Sequence, residues 1–227
     1  MTDVRQHRTV QVPAVRLVRW VQGFEARHGP ATVQASPDVL VLTGADGATA
    51  EVTAPFPPWP VAGGDHEPAP EGAASEYARS LAEHVLAERR VLVVLIRRGG
   101  YGCAVVEGAK VISSKVGRGQ VHGRTAAGGW SQQRYARRRE NQTDHLVRRV
   151  VEVAVGQAEG ARCTALVTGG DRALVERVLA EPRLSPLAVL PQGVFLDVVE
   201  PRAAMVRDLP GLVTQVRVSV VEITPSC

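Results

Sequence analysis

Between residues 91 and 118 the chain reads VLVVLIRR, GYGCAVVEG and AKVISSKVG in immediate succession. Runs of β-branched and aliphatic residues parted by glycine turns are strands that fold back on one another. Three of them make a meander. Downstream the pattern changes. Residues 133–158 are rich in Arg and Val at helical spacing, CTALVTG (163–169) reads as a strand, and DRALVERVLA (171–180) as a helix. LAVLP and GVFLDVVE are expected as short strands, AAMVRDLPGLVTQV as a helix interrupted at Pro210, and RVSVVEIT as a last strand. A meander followed by helix–strand alternation predicts a mixed sheet flanked by helices.

The class is therefore α/β, or α+β overall, and the order of elements resembles the ribonuclease-H-like arrangement. A nuclease of that fold needs several carboxylates to hold two metal ions. The three meander strands offer only Glu107, and Asp171 after Gly169-Gly170 is expected as a helix N-cap. The Gly-Gly-Asp sequence lacks the remainder of a phosphate loop and is read as a tight strand-to-helix turn. Cys103, Cys163 and Cys227 are dispersed, without a CxxC pair, and the histidines are scattered. No metal or other cofactor is expected.

Upstream, AVRLVRWVQGFEARH (14–28) reads as a helix stopped by Gly29-Pro30, with strands expected in ATVQAS, DVLVLTG and ATAEVTA. Residues 1–60 are thus a small N-terminal α+β unit. The stretch PFPPWPVAGGDHEPAPEGAA (55–74) holds six prolines, and a Pro/Gly-rich linker is placed at 61–74. Residues 75–227 form the second domain, opened by a helix with Ser75 as its N-cap. The first residues lack the apolar stretch of a signal peptide, and VLVVLI is too short to cross a bilayer. A cytoplasmic monomer is expected. The N-terminal unit is compatible with contacting RNA or with buttressing its neighbour.

Net charge is +4, unevenly spread. From Lys115 to Arg149 there are nine basic and two acidic residues, a net of +7, leaving 18 basic and 21 acidic, a net of −3, elsewhere. A concentrated positive region on an otherwise slightly acidic chain attracts polyanions, nucleic acid first among them. On the long helix Arg134, Arg138, Asn141, His145 and Arg148 recur at steps of four and three and share a face. Tyr135, Gln142, Leu146, Val150 and Val153 lie on a neighbouring stripe suited to packing inward. Lys115, Arg118, Arg124, Arg134, Arg137, Arg138, Arg139 and Arg148 are the candidate RNA-binding residues.

Directly before that helix stands GRTAAGGWSQQRYARRRENQ, residues 123–142. Gly128 and Gly129 favour no single backbone state and form a hinge. Beyond them come Trp130, Ser131, Gln132 and Gln133. A glutamine amide both donates and accepts hydrogen bonds and does not titrate. Such an amide can enter an anionic pocket without adding charge and orient a water against an ester. Its backbone N–H can bond the developing oxyanion. Trp130 suits either stacking on an RNA base or packing the loop against its own domain.

These residues resemble class-one release factors of eukaryotes and archaea, which carry a GGQ loop followed by a basic helix. They resemble more closely the Vms-like release factors, whose looser GxxQ pattern is matched by Gly129-Trp130-Ser131-Gln132. The phrase is similar to the actinobacterial branch of that family. The likeness spans 75–227 by element order and is motif-specific over 117–142. It implies a peptidyl-tRNA hydrolase that releases nascent peptides from stalled large ribosomal subunits, with peptidyl-tRNA and ribosomal RNA as partners. By position Gln132 becomes the catalytic glutamine, with Gly128, Gly129, Trp130, Ser131 and Gln133 as its loop. Trp130 and Ser131 interrupt a strict GGQ, so Gln133 is the acting glutamine in the alternative register. A non-catalytic ribosome- or RNA-binding factor would use the same basic face, and a hydrolase of free peptidyl-tRNA would need no large subunit.

Overall fold

The computed structural model describes residues 4–61, 72–119 and 131–224. The elements run β1 (Val4–Pro13), α1 (Leu17–His28), β2 (Thr32–Ala35), β3 (Val39–Thr43), β4 (Thr49–Thr53), α2 (Ala74–Leu86), β5 (Arg90–Arg97), β6 (Gly100–Glu107) and β7 (Lys110–Arg118). They continue with α3 (Ser131–Ala158), β8 (Ala165–Gly170), α4 (Arg172–Leu179), α5 (Ser185–Ala188), α6 (Ala203–Val206), α7 (Leu209–Val213) and β9 (Gln215–Thr224). Two units result: Met1–Glu88 with Pro191–Val194 and Gly211–Cys227, and Arg89–Leu190 with Phe195–Pro210. Among the described residues, no helix is long and apolar enough to cross a membrane.

The first unit is an antiparallel sheet in the order β1-β9-β4-β3-β2. Strict alternation buries one face: Val33 on β2, Leu40 and Leu42 on β3, Ala50 and Val52 on β4, Val216 and Val218 on β9. Leu17, Val21 and Phe24 of α1 and Ala78, Leu81 and Val85 of α2 complete that core with Trp59. Each such large aliphatic or aromatic side chain contributes about 1.5–3 kcal/mol by leaving water. Gly29 caps α1 with a positive φ of 77°, which ends the helix where the sequence said it would.

This unit departs from the expected division of the chain. β9 pairs along its length with β1 and also with β4, and α2 packs on α1, so both belong here and not to one domain over 75–227. The division falls at Glu88/Arg89, not within 61–74, because the apolar stripe of α2 is buried by α1. Residues 62–71 of the expected linker lie outside the described residues. α2 begins at Ala74 after an Ala73 cap without a side-chain bond, so Ser75 is inside the helix and does not cap it.

His28 closes the far end of α1. It is buried against Phe24, with ring centroids 4.6 Å apart, and its Nδ1 lies 2.8 Å from Asp46 Oδ2. The imidazole, then the Ala48 N–H, holds the Asp46 carboxyl below its ordinary 3.8. A carboxylate with a depressed folded pKa stabilises above its unfolded value, and that contribution disappears as pH falls through the folded value. Thermal unfolding followed against pH is expected to lose stability below about 4, and the Asp46→Asn variant is expected to have a flatter acid limb.

The second unit is a mixed sheet in the order β7-β6-β5-β8. β5, β6 and β7 are the antiparallel meander, β8 runs parallel to β5, and Leu196 adds a single parallel bridge outside Gly169 of β8. This is the strand order of the ribonuclease-H-like arrangement. Leu92, Val94 and Ile96 of β5, with Cys103, Val105 and Leu166, meet Leu146, Val150 and Ala154 of α3 and Leu174 and Val178 of α4. Burial pushes the Cys103 thiol up to about 12, so it is a core side chain and not a nucleophile.

Asp171 caps α4, accepting from the Leu174 N–H at 3.3 Å. A Cβ on Gly169 would stand 2.5 Å from the Leu196 carbonyl oxygen, and Gly170 has a φ of 100°, so the Gly-Gly pair is what this turn requires. Glu107 is bound by Arg90 at 2.7 Å. Among the described residues, no group of three or more His, Cys, Asp or Glu is placed to hold a metal. The expected strand LAVLP does not form: Leu187 and Ala188 end the short helix α5, where Pro186 suits the first helical turn, and Val189 and Leu190 make a turn. GVFLDVVE contributes one bridge instead of a strand. The helix expected over 203–216 is split into α6 and α7, with the break at Arg207-Asp208 and Pro210 in the first turn of α7.

Candidate nucleic-acid interface

α3 is amphipathic in the sense its sequence dictates. Leu146, Val147, Val150, Val151 and Ala154 are buried, while Arg134, Arg138, Asn141, His145 and Arg148 are all exposed. Of the neighbouring stripe, Leu146, Val150 and Val153 are buried and Gln142 is half-buried. The apolar side fixes the helix to β5 and β6, and the register of that packing turns the arginines to solvent.

The two acids of this segment, Glu140 and Asp144, stand beside the arginines and are paired from a neighbouring helix. Arg177 of α4 binds Glu140 at 3.1 Å and also binds Asp144. One cation from a neighbouring helix thus engages both carboxylates that would otherwise offset the arginines. Arg134, Arg137, Arg138 and Arg148 make no salt bridge among the described residues. Cations without acidic partners on one exposed face are suited to phosphate.

The sequence-derived candidates divide three ways. Lys115 and Arg118 are exposed on β7, paired in register with Cys103 and Gly100 of β6. Arg134, Arg137, Arg138, Arg139 and Arg148 lie on α3, Arg139 half-buried. Arg124, Gly128, Gly129 and Trp130 lie outside the described residues. The helix begins at Ser131, two residues earlier than the expected 133, so the backbones of Ser131, Gln132 and Gln133 form its first turn. The first N–H groups of a helix have no acceptor within it, and the macrodipole makes that end positive.

Where β7 ends, the structure brings together residues far apart in sequence. A cleft of about 520 Å3 has Tyr101 and Leu146 as its buried floor and Arg118, Arg138, His145 and Arg149 around it. Asn141 and Gln142 also line it, and among the described residues none that lines it is acidic. The Tyr101 hydroxyl oxygen accepts from Arg149, whose guanidinium also binds Glu152 at 3.3 Å. Those two partners, Tyr101 first, raise the Arg149 pKa further above its ordinary range.

Sequence reasoning missed Tyr101 and Arg149 as site residues. Their signals were a tyrosine bracketed by glycines at 99–102, and an arginine continuing the i, i+7, i+11 series from Arg138 through His145. Gly117 makes room for the ring, since a Cβ there would overlap Tyr101. Gly117→Ala is therefore expected to displace the floor of the cleft and to cost about 1–3 kcal/mol, read as a lower midpoint in urea unfolding.

Residues 89–219 match the model of a family described as the Actinobacteria/chloroflexi VLRF1 release factor. The match starts where the second unit starts. Among solved structures the chain is similar to Pelota from Archaeoglobus fulgidus, at 12% identity and a TM-score of 0.29, covering 94% of this chain and 68% of that one. No curated protein matches.

Proposed function

This chain belongs to the Actinobacteria/chloroflexi VLRF1 release factor family, and we propose that within it the molecule is a peptidyl-tRNA hydrolase that frees nascent peptides from stalled large ribosomal subunits. A ribosome-associated, release-factor-like role follows from the family. The finer reading rests chiefly on one observation: a cationic helix face, with its acids drawn off by Arg177, directly follows the GxxQ sequence.

The arginines of α3, with Lys115 and Arg118, hold RNA phosphates and set the orientation of the second unit. The first turn of α3, which carries Gln132, is the part that enters the peptidyl-transferase centre. Gln132 positions water against the ester joining peptide to tRNA, and the N–H groups of the first helical turn stabilise the oxyanion. No covalent intermediate is required. The water adds to the ester carbonyl, the tetrahedral species collapses, and the products are the free peptide acid and the tRNA 3′-terminal hydroxyl. The chain acts as a monomer.

The test is turnover. Purified protein is incubated with ribosomal large subunits carrying labelled peptidyl-tRNA, and with the same peptidyl-tRNA free of ribosomes. Release that requires the subunit is expected. Co-sedimentation without release would favour a non-catalytic ribosome-binding factor, and equal release from free peptidyl-tRNA would remove the ribosome from the reaction.

A further inference from the structure

The cleft between the end of β7 and the middle of α3 has a composition that a general phosphate-attracting surface does not need. Its floor, Tyr101 and Leu146, is buried and largely apolar, while its cations stand at the wall. Arg149 is held in place by Tyr101 and Glu152, so part of the wall is preorganised. Arg118 and Arg138 pair with no carboxylate among the described residues. Exposed Asn141 adds an amide that can both donate and accept.

The volume of about 520 Å3 falls in the range of small-ligand sites. A bare phosphate would satisfy the arginines and use no other part of the cleft. A ligand with an anionic end, a flat apolar body and hydrogen-bonding edges would use every part of the cleft.

We infer that this cleft binds a single nucleotide unit, its phosphate on Arg118 and Arg138, its base over the Tyr101–Leu146 floor with an edge read by Asn141. The inference deepens the proposed RNA-directed function and rests on it for biological context. The chemistry is shared by two sources, a free nucleoside monophosphate and one nucleotide turned out of single-stranded RNA. Gln132 lies in the first turn of the helix that carries Arg138, six residues and about 9 Å of helix rise away. A nucleotide seated here would therefore be held close to the start of α3.

The intact protein is titrated by calorimetry with the four ribonucleoside 5′-monophosphates, with inorganic phosphate and with a short single-stranded RNA. Saturable binding of a monophosphate or of the RNA is expected, tighter than that of inorganic phosphate. Arg118→Ala and Arg138→Ala are each expected to weaken it about tenfold or more, Asn141→Leu to change the order of base preference, and Arg183→Ala, on exposed surface away from the cleft, to leave it unaltered. Binding by monophosphates identifies a free nucleotide as a sufficient ligand. Binding by the RNA alone, with the same sensitivity to the variants, identifies a nucleotide within a strand.

Three results would overturn the inference: no saturable binding of any probe, inorganic phosphate bound as tightly as the nucleotides, or unchanged affinity in both arginine variants with native circular dichroism. Each is separable from failure of the proposed function. That function is read from peptide release and from ribosome affinity carried by Arg134, Arg137 and Arg148, none of which lines the cleft.

Discussion

Gln132→Ala is expected to slow peptide release from ribosome-bound peptidyl-tRNA by about 10²–10³-fold, the usual loss when one prepositioned polar group is removed from an acyl-transfer site, with ribosome affinity almost unchanged. The physical reason is that an uncharged amide contributes little to binding a polyanion and much to fixing a water at attack distance. Single-turnover release at saturating protein separates the two. Gln133→Ala is the necessary companion, because successive helical residues are set about 100° apart around the axis. A loss confined to Gln133→Ala would transfer the role to Gln133. Retained release in both variants, with ribosome binding intact, would remove glutamine from the chemistry.

Replacing Arg134, Arg137 and Arg148 together with alanine should have the opposite signature. These residues are exposed and lie outside the nucleotide cleft, so their loss disturbs neither the core nor that site. Each phosphate contact removed lowers the slope of log affinity against log salt by about 0.7–0.9. The triple variant should therefore lose about two to three units of slope in ribosome co-sedimentation across a salt series, while release at saturating ribosome concentration persists. An unaltered slope would mean that α3 does not face phosphate. Arg177→Ala provides an internal comparison, since it releases Glu140 and Asp144 to oppose the same anion without removing a residue of the basic stripe.

Much of the second unit was legible because its signals are local. The meander needed only three β-rich runs and their glycine turns. The faces of α3 followed from the spacing of Arg134, Arg138, Asn141, His145 and Arg148 against Leu146, Val150 and Val153. Asp171 declared itself as a cap by its place after two glycines. Short apolar runs were read less well. LAVLP formed no strand because Pro186 opens a short helix that takes up Leu187 and Ala188, and GVFLDVVE found only one bridging position at the sheet edge. β1 escaped notice because VRQHRTVQVP shows no apolar alternation until Val10 and Val12, residues 6–9 being exposed.

The amino-acid order on its own determined the mixed sheet of the meander, the two-faced character of α3 and the concentration of positive charge beside the GxxQ sequence. Each depends on residues a few positions apart, which hydrophobic periodicity and turn chemistry record directly. Tertiary structure alone decided that the last strand, β9, closes the N-terminal sheet against β1. It alone paired Glu140 and Asp144 with Arg177, and set Tyr101, Arg118 and Arg149 around one cleft. Those outcomes join residues widely separated along the chain, and which partners meet is set by the burial of whole faces and the pairing of whole strands, not by any local pattern.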